Sequence, residues 1–125
     1  MPNVKPHLLF VCGRNEWRSP TAERLYRADP RVEVRSAGVS AKSRHAISRA
    51  DIDWADLILV MEAKYGSWIH GRFRALALPP IHSLDIPDEC EFMDEELIAA
   101  IQSGAEHYID QLAGMGTDEV EDNNS

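Results

Sequence analysis

Short unbroken apolar runs alternate along this chain with longer stretches in which apolar residues return every three or four positions. His7-Leu-Leu-Phe-Val-Cys12, closed by Gly13, and Asp56-Leu-Ile-Leu-Val-Met61 are apolar on both faces, as strands buried inside a parallel sheet are. Val32-Glu-Val-Arg-Ser36 alternates apolar and polar like a half-buried strand, and Ile81-His-Ser-Leu-Asp85 reads as a fourth, weaker one. Between them, Ser19–Arg27 reads as a helix with Ser19 as N-cap, Pro20 at the first helical position and Asp29-Pro30 as the stop. Ser48-Arg-Ala-Asp51 has capping-box spacing and opens a short helix to about Ala55. Glu62–Leu76 carries Tyr65, Trp68, Ile69 and Phe73 at helical spacing, and Pro79-Pro80 ends it. Asp94 caps a last helix whose buried stripe is Leu97, Ile98, Ile101, Ala105, Tyr108, Ile109 and Leu112. Val39–Ile47 and Ile86–Cys90 are expected as loops. Residues 114–125 are acidic and aperiodic and are expected as a disordered tail to a domain of residues 1–113.

Strands alternating with helices predict an α/β fold, a single three-layer domain with a parallel sheet covered by helices on both faces. Such sheets bind ligands beyond the carboxyl ends of their strands. The length of 125 residues suits one domain. No apolar run approaches the roughly 20 residues of a membrane span, and no secretion signal is seen at residues 1–5. Two cysteines, Cys12 and Cys90, are too few for a disulfide scaffold or a four-cysteine zinc site, so a reducing, cytoplasmic setting is expected. The net charge of −8 argues against general nucleic-acid binding. It also hides an asymmetry: residues 1–49 hold ten Lys/Arg against four Asp/Glu, and residues 50–125 hold three against seventeen. The basic half is suited to receive an anion.

The strand-end rule points to Cys12-Gly-Arg-Asn-Glu-Trp-Arg18-Ser19-Pro20. A cysteine closes a buried strand, an arginine follows six residues later, and a helix begins at once. Loop amides and a helix N-terminus can converge on a phosphate-sized anion, with Gly13, Arg14, Asn15, Glu16, Trp17, Arg18 and Ser19 as the residues around it. The same field favours a thiolate at Cys12. The Arg18 guanidinium can fork onto two phosphoryl oxygens. Ser19 can donate its hydroxyl to the sulfur, and Asn15 can hold the loop open.

In this loop the sequence resembles the low-molecular-weight phosphotyrosine protein phosphatases, whose loop commonly reads Cys-Leu-Gly-Asn-Ile-Cys-Arg-Ser-Pro. Cys12, Asn15, Arg18, Ser19 and Pro20 match in register, and Ala22-Glu23, Ser36-Ala-Gly38 and the Asp56–Met61 strand match further on. The resemblance implies a four-stranded parallel sheet in order 2-1-3-4. It implies hydrolysis of a phosphomonoester, in a phosphotyrosine protein or a small aryl or alkyl phosphate, through a cysteinyl phosphate and with inorganic phosphate as product. Cys12 would be the nucleophile, Arg18 the anion clamp and Asp88 the general acid, with no metal or other cofactor. Asp85 competes for the acid role. Arsenate reduction with an external thiol, and a non-catalytic phosphate- or phosphoprotein-binding module, are the alternatives.

The departures bear on the same loop. Gly13 and Arg14 replace Leu and Gly, so a positive φ at the second position would fall on Arg14 unless Gly13 takes over the turn. Arg14 is then either a second cation at the mouth or a solvated arginine. Trp17 replaces a second loop cysteine and is expected to pack beneath the loop. The stretch between Gly38 and Ser48 lacks a helical segment of the family, and Glu89-Cys90 stands where Pro-Tyr follows the acid. His7, His45, His70, His82 and His107 show no metal-ligand spacing and are expected to be structural or on the surface. Tyr65, Trp54 and Trp68 are expected in the core or on helix faces.

Overall fold

A computed structural model of the chain describes residues 5–87 and 92–117, with side chains through residue 114. Four strands, β1 (His7–Cys12), β2 (Glu33–Gly38), β3 (Leu57–Val60) and β4 (Ile81–Ser83), form one parallel sheet in the order β2-β1-β3-β4. The helices are α1 (Arg18–Tyr26), α2 (Arg49–Trp54), α3 (Ala63–Arg72) and α4 (Glu95–Thr117). The fold class and strand order are those expected.

β1 is the centre of the core. Leu8, Leu9, Phe10 and Val11 have no exposed surface, because helices cover both faces of the strand and β2 and β3 flank it. β3 is buried at every position, which accounts for its unbroken apolar run. From α4, Leu97, Ile101, Ala105 and Ile109 are buried, while Ile98, Tyr108 and Leu112 lie at the margin of the same stripe. Each fully buried Leu or Ile side chain contributes roughly 1.5–3 kcal/mol relative to exposure, so the stripe alone is enough to dock α4.

Helix ends differ from the expectation in instructive ways. α1 begins at Arg18 with Trp17 at the cap position and no side-chain cap, so Ser19 is free for other partners. Thr21 opens the helix, its amide and hydroxyl both donating to the Trp17 carbonyl. The Ser48–Asp51 capping box of α2 forms as its spacing predicts. α3 stops at Arg72, four residues short of Leu76, and Phe73 closes it by donating to the Ile69 carbonyl. α4 runs to Thr117, into the segment expected to be tail. Residues 118–125 lie outside the described residues.

Candidate active site

Register places the site. Cys12, the last residue of β1, pairs with Gly38, the last of β2, and Met61 follows the end of β3. The carboxyl ends of three strands therefore meet around the loop of residues 12–18. A Cβ on Gly38 would lie 2.8 Å from both the Arg14 carbonyl carbon and the Asn15 amide nitrogen, so only glycine lets the loop close over β2.

The short segment after Gly38 shapes the loop from outside. Val39, Ser40 and Arg44 amides donate to the carbonyls of Cys12 (3.0 Å), Gly13 (2.9 Å) and Arg14 (3.3 Å), and the Ser43 hydroxyl adds a second bond to Gly13. The C=O and N–H of one planar peptide unit point opposite ways. Tying three carbonyls outward therefore turns the amides of Gly13, Arg14 and Asn15 inward. The Asn15 amide proves the point, reaching Cys12 Sγ at 3.2 Å. The left-handed turn that permits this falls on Asn15 (φ 56°), not on Arg14, and no glycine among the described residues has positive φ. Asparagine tolerates this region better than most residues, so Arg14 carries no strain of this kind. Gly13 has a different reason: a Cβ there would meet Tyr65 Oη at 3.0 Å.

Cys12 is buried and faces a cavity of about 260 Å³ lined by Gly13, Arg14, Glu16, Trp17, Arg18 and Tyr65. Behind the sulfur runs a chain of neutral groups. Asn15 Nδ2 donates to Ser19 Oγ and to Ser36 Oγ, both at 2.9 Å, and Ser36 Oγ donates to Glu23 Oε1 at 2.5 Å. Both hydroxyls accept from Asn15, so each has one proton left. Ser36 spends its proton on Glu23. Ser19 has Cys12 Sγ at 2.9 Å or the Ala37 carbonyl at 3.3 Å, and an anionic sulfur is the stronger acceptor.

On the other side stands Arg18, only 3% exposed. Nη1 donates to Glu62 Oε2 at 2.6 Å and to the Ile86 carbonyl at 2.8 Å, and Nη2 donates to Tyr65 Oη at 2.9 Å. A buried guanidinium needs such partners, and three of them fix its plane. The bond from Arg18 holds the Glu62 carboxyl below the ordinary glutamate range. Glu62 and Tyr65, at the end of β3 and in the first turn of α3, are functional candidates that the sequence reading passed over. The signal was present, since Glu62 follows a strand that ends level with Cys12.

Other expectations need correction. Trp17 does not pack beneath the loop. It is 42% exposed and lines the cavity. Arg14 and Glu16 are exposed at the same rim. Asp85 accepts from Ser83 Oγ and lines a neighbouring cavity with Glu62, Lys64 and Pro87. Asp88, Glu89 and Cys90 lie outside the described residues. Beyond them, the Met93 amide donates to Thr21 Oγ1, tying the following segment to the first turn of α1. His45 Nε2 donates to Asp51 Oδ2, holding the 39–47 loop on α2, while His45 also lines cavities behind Asn15. Trp54 stacks on His7 with centroids 4.4 Å apart and carries Arg35 over its other side.

No protein-family model and no curated protein matches the sequence. Solved structures do. The low molecular weight protein tyrosine phosphatase SP-PTP of Streptococcus pyogenes superposes with a TM-score of 0.68 at 17% identity, over 86% of this chain and 93% of that one. Wzb of Vibrio vulnificus, solved with benzylphosphonate, gives 0.64 at 23% identity, over 87% of this chain and 100% of its own.

The fold is that of the low-molecular-weight protein tyrosine phosphatases.

A third neighbour with this phosphatase fold, the YwlE arginine phosphatase of Geobacillus stearothermophilus, gives 0.58 at 27% identity, over 86% of this chain and 90% of that one. The low-molecular-weight phosphatase fold thus includes proteins named for two different phosphorylated residues. No helix among the described residues is long and apolar enough to cross a membrane.

Proposed function

We propose that the chain is a metal-independent phosphomonoester hydrolase that works through a cysteinyl-phosphate intermediate on phosphorylated protein side chains, in the cytoplasm. The observation that carries this reading is the convergence on Cys12 Sγ of the Asn15 amide and the Ser19 hydroxyl, inside a loop whose carbonyls are tied outward and beside an oriented Arg18. In this reading an entering phosphoryl group takes the inward amides and the Arg18 guanidinium as partners for its equatorial oxygens. Cys12 Sγ attacks phosphorus in line, the S–P bond forms, and the P–O bond to the leaving group breaks. Asp88 gives its proton to the departing oxygen. Water then attacks the same phosphorus, Asp88 takes its proton, and the S–P electron pair returns to sulfur as inorganic phosphate leaves. Ser19 Oγ–H, aimed by Asn15, stabilises the departing thiolate.

The Pro-Tyr that would stack on an aryl group is absent after Asp88, and Trp17 and Tyr65 are the aromatic surfaces left at the cavity. Phosphotyrosine is the substrate proposed first, with phosphoarginine tested beside it.

A metal-free assay with p-nitrophenyl phosphate tests the reading. Turnover is expected in chelator and is expected to vanish in Cys12→Ser, by ~10⁴-fold or more. Unchanged turnover in that variant refutes the cysteinyl phosphate. Asp88→Ala is expected to lower kcat by ~10²–10⁴-fold. Thiol consumption driven by arsenate without phosphatase turnover would select arsenate reduction instead. Phosphate binding without any hydrolysis would select a binding module.

A further inference from the structure

The cavity that holds Cys12 is not the largest concavity beside its loop. On the far side of residues 13–17 lies a groove of about 500 Å³, bounded by α1, the 39–47 loop and Phe92. Arg24 on the exposed face of α1 and Arg27 just past its end, three residues apart, form one wall, and Arg44 stands on the other. Arg18, Arg31, Arg35 and Arg49 each lie against a carboxylate. Arg24, Arg27 and Arg44 make no side-chain hydrogen bond or ion pair with any described residue. The acidic group that lines the groove, Glu23, already accepts the Ser36 hydroxyl. Three guanidiniums converge on one concave surface of a chain whose net charge is −8. A concave lining with three cations against one carboxylate concentrates anions.

We propose that this groove binds an acidic stretch of the substrate polypeptide, next to the phosphorylated residue. The inference rests on the phosphatase reading above and names the substrate class for it. The two concavities share the 13–17 loop as a partition: Arg14, Glu16 and Trp17 line the Cys12 side, and Asn15 faces the groove. A polypeptide that places its phosphorylated residue over Cys12 and continues past Trp17 enters the groove within a few residues. Aspartate and glutamate side chains fit the forked guanidinium bidentately. Phe92, 41% exposed, adds an apolar surface to the lining, which suits a mixed peptide better than a bare phosphate chain. The phosphate in the Cys12 cavity supplies the chemistry, and the groove supplies sequence preference.

Two synthetic phosphotyrosine peptides decide the matter, one with Asp and Glu on both sides of the phosphotyrosine and one with Asn and Gln at the same positions. The acidic peptide is expected to show about a tenfold higher kcat/KM, carried by KM and shrinking with added salt. Each of Arg24→Gln, Arg27→Gln and Arg44→Gln is expected to remove about a two- to fivefold part of that preference. Turnover of p-nitrophenyl phosphate, too small to reach the groove, is expected to stay as in the unaltered protein in Arg24→Gln and Arg27→Gln. Equal kcat/KM for the two peptides, or a preference that survives the triple variant, overturns the proposal. A binding arm separates the two readings. A fluorescent, unphosphorylated acidic peptide is expected to bind the unaltered protein more tightly than the triple variant. If no phosphate ester is turned over, the phosphatase reading fails, and this arm alone decides the groove: equal binding to both proteins overturns it. Oligouridylate of equal charge binding as tightly as the acidic peptide overturns the assignment to a polypeptide.

Discussion

Cys12 is held between two sets of partners with different chemistry. On one side, Arg18, Glu62 and Tyr65 form a charged clamp drawn from α1 and from the junction of β3 and α3. On the other, Ser19, Asn15, Ser36 and Glu23 form a chain of neutral donors that ends in one carboxylate. The clamp is ionic and its guanidinium is buried, so it sets where an anion sits and how strongly it is held. The neutral chain adds no charge at the sulfur. It fixes the direction of one proton, because Asn15 occupies the acceptor side of both hydroxyls. The contrast separates binding from leaving-group control, although both sets touch the same loop.

Breaking the charged side is expected to have the larger effect. Arg18→Lys keeps the charge but loses the planar fork that reaches Glu62, the Ile86 carbonyl and Tyr65. A loss of ~10²–10³-fold in kcat/KM for p-nitrophenyl phosphate is expected, with inhibition by inorganic phosphate weakened in parallel. A lysine that retains most of the activity would show that charge alone suffices there. On the neutral side, Ser19→Ala is expected to cost ~10–100-fold, as loss of a hydrogen bond to a charged group does. The loss should fall on the second step, so rapid mixing should reveal a burst of p-nitrophenol and a phosphorylated enzyme detectable by mass. Loss without a burst would place Ser19 in the first step instead. Glu62→Gln is expected to be smallest, about three- to tenfold, because a neutral amide can still accept from Arg18. It sharpens the comparison through pH. The folded state depresses the Glu62 carboxyl through its bond to Arg18, so its stabilising effect is complete above the ordinary glutamate range and disappears as pH falls through the lowered value. The Tm difference between the unaltered protein and Glu62→Gln should therefore be positive at neutral pH and shrink toward zero on acidification. A difference independent of pH would show that the pair acts by packing rather than charge.

These two sides were unequally legible in the sequence. Most of the neutral set lies within a few residues of Cys12, in the loop and the first turns of α1, and local spacing brought Asn15, Ser19 and Arg18 to notice. Glu62, Tyr65 and Ile86, which hold Arg18, come from 44, 47 and 68 residues away, and periodicity carries no signal across such separations. Tyr65 read as a core aromatic because its apolar ring fits the helical stripe. Its hydroxyl matters only because Gly13 leaves room for it. Trp17 was expected inside on the grounds that large apolar rings bury, yet the loop that turns amides inward turns this ring outward. The boundary of α3 was overestimated because Phe73 and Leu76 continue the spacing after the backbone has left the helix.

The sequence by itself determined the elements and their order, since periods of two and of 3.6 residues are local consequences of which side chains must leave water. It also determined which residues could form an anion-binding turn, since Cys12, Asn15, Arg18 and Ser19 act over a single short loop. Tertiary structure decided the rest: which carbonyls are tied outward by the 39–47 loop, which carboxylate orients Arg18, and which arginines are left facing a groove. These depend on strand ends that meet only through sheet register, and register is set by the packing of the whole core.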